Sequence, residues 1–277
     1  MARSALICAR CGTPAYPDAA FCHNCGSALD LATMDTPTGG APWTLADIGK
    51  AIGLVVIALI ATSIPAGILA LALAGGGDIE EDPTALTVAI AASVFLELAL
   101  LFTALQFSVL KYGTSPAALG LRLPRRGGFW LTLGLGLGLV IAGLGINFAY
   151  FAALGVVGIE PDTDLPEEAF QNAGPLVAIA VLSLAFAPLM EEVFFRGFVF
   201  GGLRGRWGLA WAAWASGLLF ALAHIGNPGT IFLIPPIAAI GALFAWGYAY
   251  SGSILASLLA HFLFNLVAFV AGVAEHS

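Results

Sequence analysis

Residues 175–201 read PLVAIAVLSLAFAPLMEEVFFRGFVFG. The run is long enough to cross a hydrocarbon layer as one helix at about 1.5 Å per residue. Its apolar residues do not alternate with polar ones, which argues against a strand of a membrane barrel. Backbone amides in lipid must bond within their own segment, so the reading is a membrane helix. Yet the run carries Glu191, Glu192 and Arg196, and ionisable side chains in a span cost several kcal/mol unless they have partners or a function.

The same composition extends along the chain. Of 277 residues, 60% are hydrophobic and only 10% charged, and the mean hydropathy is +0.95, which excludes an ordinary soluble domain. The net charge of −7 gives no support for a nucleic-acid partner. Seven apolar segments follow one another at 48–74, 84–110, 128–157, 175–201, 208–225, 230–250 and 253–274. The expected fold is therefore an all-α polytopic membrane protein, a bundle of about seven transmembrane helices over 45–277. Pro188 is expected to kink the fourth segment and Pro235-Pro236 the sixth. Glycines 134, 136, 138, 143 and 145 mark the third as a close-packing helix or a flexible one. Starting from a cytosolic N-terminus, Lys50, Lys111, Arg122, Arg125, Arg126, Arg204 and Arg206 fall on inner segments, whereas the two outer loops before the fourth span hold acidic residues and no basic ones. That follows the positive-inside rule as far as the fourth span; beyond Arg206 the loops are uncharged. The expected location is the cell membrane, multi-pass, with no secretory signal ahead of the first span.

Residues 1–28 differ. Cys8-Ala-Arg-Cys11-Gly12 and Cys22-His-Asn-Cys25-Gly26 contain all four cysteines. Two CxxC knuckles, each followed by glycine, suit a tetrahedral four-thiolate zinc site; a pair of disulfides is the alternative, disfavoured in a reducing cytosol. The expectation is a small zinc ribbon with Cys8, Cys11, Cys22 and Cys25 as ligands, folded largely by its metal, with His23 outside the ligand set. Residues 29–44 have linker composition.

Within the last four spans, Glu191, Glu192, Arg196, His224, His261 and Asn265 stand out. Glu192 and Arg196 are i,i+4 and can pair, while Glu191 is turned about 100° away and left available. Phe220 and His224 repeat the spacing, the ring one turn from the imidazole, and so do His261 and Asn265. Reckoned from a turn near Gly205, Glu191 and His224 reach comparable depths; His261 is shallower. Such a set can make a hydrolytic site: Glu191 as general base on a water also held by His224, with His261 and Asn265 donating to an oxyanion. The plain alternative is a group of interhelical hydrogen bonds that only hold the bundle together. Glu97, in the second span, has no partner legible in sequence.

These residues resemble the CPBP family of intramembrane endopeptidases, which includes the type II CAAX prenyl proteases and bacteriocin-related bacterial proteins. Its EExxxR motif is similar to Glu191-Glu192-Val-Phe-Phe-Arg196, its FxxxH motif to Phe220-Ala-Leu-Ala-His224, and its HxxxN motif to His261-Phe-Leu-Phe-Asn265. The resemblance covers about 175–270. It implies cleavage of peptide bonds in membrane-associated substrates, with Glu191 and His224 activating water and His261 with Asn265 stabilising the oxyanion. Two histidines and a glutamate can also hold zinc, as in relatives labelled metalloproteases; the metal-free reading is preferred because Asn265 is a poor zinc ligand. A non-catalytic scaffold or immunity-type protein that uses the ribbon for a protein partner is the second reading. A transporter with a proton relay through Glu97 is the third, although no internal repeat supports it.

Overall fold

The computed structural model describes residues 6–7, 14–15, 41–124, 127–161, 166–225 and 228–276. The chain forms two compact units, Met1–Gly40 and Ala41–Ser277. In the first, strand β1 (Leu6–Ile7) pairs antiparallel with β2 (Pro14–Ala15), Leu6 opposite Ala15. The first CxxC pair falls between these strands in sequence. The four cysteines, and with them the expected zinc site, lie outside the described residues.

Among the described residues six helical stretches of the second unit are long and apolar enough to cross a membrane, and with Ala173–Leu222 divided at its kink they give seven helices. They are α1 (Leu45–Leu73), α2 (Pro83–Leu105, continued by a π turn to Leu110), α3 (Gly128–Val156), α4 (173–207), α5 (209–222), α6 (Ile234–Ser251) and α7 (Leu255–His276). The stretch from Ala173 to Leu222 is two helices, divided where Gly208, with φ 75° and ψ 174°, reverses the chain. Glycine takes that positive φ without the Cβ penalty. Beyond it α5 lies back along α4, as the Ser216 Oγ bond to the Phe195 carbonyl at 2.7 Å shows. The fourth and fifth spans therefore turn at Gly208 rather than near Gly205.

The two prolines act differently from the expectation. Pro235 and Pro236 occupy the first turn of α6, where a missing N–H costs nothing, so they start the helix and do not kink it. Pro188 follows a π-helical stretch, Val181–Phe186, and a second one, Glu192–Phe200, comes just after it. Widened turns absorb the bonds that a proline cannot make and leave carbonyls open to side chains. Three buried or half-buried donors use them: Asn265 Nδ2 bonds Ser183 O at 2.8 Å, Ser216 Oγ bonds Phe195 O, and Trp43 Nε1 bonds Phe198 O at 2.8 Å.

Two ends of the bundle can be told apart. Thr44 and Asp47 form a capping box at the start of α1, and Asp47 also takes Lys111 and Tyr112, from the end of α2. Hydrogen bonding to Asp47 raises the Lys111 pKa above its ordinary value. Arg206 bonds Trp43 O at 3.2 Å, and Arg122 Nε bonds Gly252 O at 3.2 Å. The connection between α6 and α7 therefore shares the end that carries Lys111 and Arg122, which settles the parity the uncharged loops left open. At the opposite end Phe170 stacks on His276, centroids 5.3 Å apart. The membrane unit begins at Ala41, four residues before the sequence boundary: Trp43 is fully buried against Phe198 and Gly202.

α1 buries only Asp47, Ile48, Ala51 and Ala70, as expected of a peripheral helix whose outer face meets lipid. α5 and α6 approach most closely at Gly217 and Gly241, where a Cβ on Gly241 would lie 2.8 Å from the Gly217 Cα. Of the α3 glycines, Gly136 and Gly143 pack against Leu259 and Phe264 of α7; Gly134, Gly138 and Gly145 face open space.

Candidate active site

The site forms where α4, α5 and α7 meet. Glu191 lies seventeen residues before Gly208 and His224 sixteen after it, so the hairpin sets them at one depth. The Glu191 Oε1 to His224 Nε2 distance is 4.0 Å. From α7, His261 comes between the two glutamates: its Nε2 is 3.5 Å from Glu191 Oε2 and its Nδ1 3.3 Å from Glu192 Oε1. The shallower depth expected for His261 is thus made up.

Glu192 and Arg196 pair as their spacing requires, Nη1 to Oε1 at 3.0 Å, and both are fully buried. The contact is an ion pair without aligned hydrogen bonds, since none of the three guanidinium nitrogens has a hydrogen-bond partner. Aromatic faces supply the rest, with Phe220 4.2 Å and Phe244 5.4 Å from the guanidinium carbon. Phe220 also meets His224 edge-on at 4.6 Å and His261 at 5.6 Å. One ring thus orders the arginine and both imidazoles, which accounts for an aromatic residue one turn from His224.

His224 Nδ1 is 2.8 Å from the Phe220 carbonyl. A carbonyl only accepts, so Nδ1 carries the proton and Nε2 presents a lone pair towards Glu191. Gly197, directly after Arg196, leaves room for Leu119, whose carbonyl would lie 2.6 Å from a Cβ there.

A cavity of about 340 Å³ opens beside Glu191 and His224. Its walls are mainly apolar side chains of α1, α2, α4 and α5, including Ile52, Val55, Leu100 and Phe194. Glu97 of α2 lines it too, and is 7% exposed. A larger apolar groove of about 810 Å³, edged by Trp207, Trp211 and Trp214, carries no catalytic group.

Glu191, Glu192, Arg196, His224 and His261 are thus brought together. Asn265 is one turn beyond His261, and one hydrogen of its amide goes to Ser183. Sequence reasoning missed Ser183 and Ser216, whose spacing carries no signal, and the place of Glu97, which only its charge within a span could flag. Among the described residues no group of three or more His, Cys, Asp or Glu side chains takes an arrangement that could hold a metal ion as it stands.

Residues 173–267, about a third of the chain, match the family model described as Type II CAAX prenyl endopeptidase Rce1-like. The stretch spans α4 to most of α7 and contains all three motifs; α1, α2 and the cysteine pairs lie outside it. No curated protein and no solved structure matches the chain.

Proposed function

We propose that the protein is an intramembrane endopeptidase that hydrolyses peptide bonds of membrane-associated substrates with water activated by Glu191 and His224. The observation that carries this reading is the pair of acceptors, Glu191 Oε1 and His224 Nε2, 4.0 Å apart at the edge of an apolar cavity. A water between them donates one hydrogen to each and turns its lone pairs outward, towards a substrate carbonyl. As its oxygen attacks, the proton passes to Glu191. With a proton on each ring nitrogen, His261 donates Nδ1–H to Glu192 of the Glu192–Arg196 pair and turns Nε2–H from Glu191 to the oxyanion, and the second amide hydrogen of Asn265 supports it. Match of the motif-bearing segment to an endopeptidase family favours the same reading.

In this reading the basic end of the bundle faces the cytosol. Cys8, Cys11, Cys22 and Cys25 hold a structural zinc, for which four thiolates are a fitting donor set, and the ribbon serves a protein partner.

The test is cleavage of a quenched-fluorescence peptide library by the purified protein in lipid nanodiscs. Glu191→Gln should lower cleavage about 10²–10⁴-fold, the range for a lost general base, while its helical circular dichroism is retained. Wild-type protein that cleaves nothing would favour the scaffold reading instead, and a Glu191→Gln variant as active as wild type would remove Glu191 from the mechanism.

A further inference from the structure

The mechanism uses one of two carboxyl groups that face the cavity. Glu97 reaches the same wall from α2, a helix outside the family-matched segment. It is 7% exposed, and its Oε2 is buried with no hydrogen-bond partner. The other titratable groups on the cavity are Glu191 and His224; α1 contributes apolar side chains only. Behind Glu191 lie His261 and the Glu192–Arg196 pair. Every cation here is therefore directed at Glu191 or Glu192, and among the described residues none pairs with Glu97.

Two carboxyl groups on one apolar cavity repel strongly when both are charged, so a single proton shared between them is the cheap arrangement. Glu191 has the His261 Nε2–H, 3.5 Å away, to support its charge and Glu97 has no such donor. The geometry points to Glu97 as a second catalytic carboxyl, the proton donor to the departing amine, an assignment that rests on the endopeptidase reading. Water attacks the carbonyl carbon, the new C–O bond forms, and Glu191 takes the water's proton while the carbonyl electron pair moves to oxygen. The pair then returns, the C–N bond breaks, and the nitrogen leaves with the proton of Glu97. Glu191 is now neutral and Glu97 charged; an entering water relays the proton back. One water is consumed, and a carboxylic acid and an amine are released.

Glu97→Gln is isosteric and can still donate a hydrogen bond, but it cannot give up a proton. The assay compares a peptide amide, selected from the library by the wild-type enzyme, with the matched 4-nitrophenyl ester, whose leaving group needs no proton. The expected result is that kcat for the amide falls about 10²–10⁴-fold more than kcat for the ester, with KM little moved and partial recovery in Glu97→Asp. Infrared difference spectra of the full chain in nanodiscs should show a protonated-carboxyl C=O band that shifts in D2O, present in wild type and Glu191→Gln and absent in Glu97→Gln. Equal losses on amide and ester would make Glu97 structural, and a band that Glu97→Gln does not remove would overturn the shared proton. A wild-type enzyme that cleaves no peptide would end the catalytic role along with the endopeptidase reading, while the band would still report on Glu97.

Discussion

Replacing Glu192 by glutamine should destabilise the protein far more than its single ion-pair contact suggests. Arg196 is fully buried, Glu192 faces it at 3.0 Å, and its nitrogens lack aligned hydrogen bonds. Removing one member of a buried pair strands the other charge and costs about 3–5 kcal/mol. Phe220 and Phe244 already face the guanidinium in the native state, so they cannot replace the lost carboxylate. The expected loss is therefore about 3 kcal/mol or more, read as a shifted midpoint in an SDS titration of the protein in mixed micelles. The double variant Glu192→Leu/Arg196→Met removes both charges at similar volume, and should return to within about 1 kcal/mol of wild type or exceed it. Because His261 Nδ1 then has no carboxylate, the stable double variant should still fail to cleave peptide. A Glu192→Gln protein as stable as wild type, or a double variant less stable than the single one, would refute the argument that Arg196 is held by charge.

Gly217→Val drives a side chain into the α6 backbone near Ala238 and Ala242; overpacking should cost about 1–3 kcal/mol, seen as a lower SDS midpoint, whereas Gly138→Ala on open space should be neutral. Trp43→Phe keeps a stacked ring but removes the indole N–H that bonds the Phe198 carbonyl, for about 0.5–1.5 kcal/mol, and hydrogen exchange should quicken in α4 around that residue. Lys111 has a raised pKa in the folded state, so its contribution is complete below the unfolded lysine value of about 10.4 and is lost as pH climbs through the folded one. Thermal stability should accordingly fall above that pH in wild type and be flat there in Lys111→Met. Elemental analysis should find one zinc per full chain and none in Cys8→Ser/Cys11→Ser, with peptide cleavage unchanged.

The membrane class and the grouping of Glu192 with Arg196, and of Phe220 with His224, were legible because lipid forces helices and a helix forces i,i+4 neighbours. What eluded the sequence depends on contacts between segments. The reversal at Gly208 could not be told from one at Gly205, since either glycine can turn a chain. Pro235-Pro236 reads as a kink or a start according to where the helix begins, the four residues between position 230 and Ile234 deciding it. The bond from Asn265 to Ser183 was not legible either, because the Ser183 carbonyl is open to a side chain only where the turn is widened. Trp43 looked like linker because nothing local marks a side chain that docks 155 residues away.

The widened turns on either side of Glu191 set a register as well as a hydrogen-bond pattern. A π turn amounts to one residue more than an α-helix of the same rise would hold. Straightening the stretch between Val181 and Phe186 into an ordinary helix with every residue kept would rotate everything before it by about 100° relative to Glu191. Transplanting the motif onto an ideal helix would do the same on both sides at once, aiming Ser183, Phe195 and Phe198 away from the residues that now meet them. The site is thus encoded by residue count along α4 as much as by residue identity, and an insertion one turn away would be felt as surely as a substitution within it.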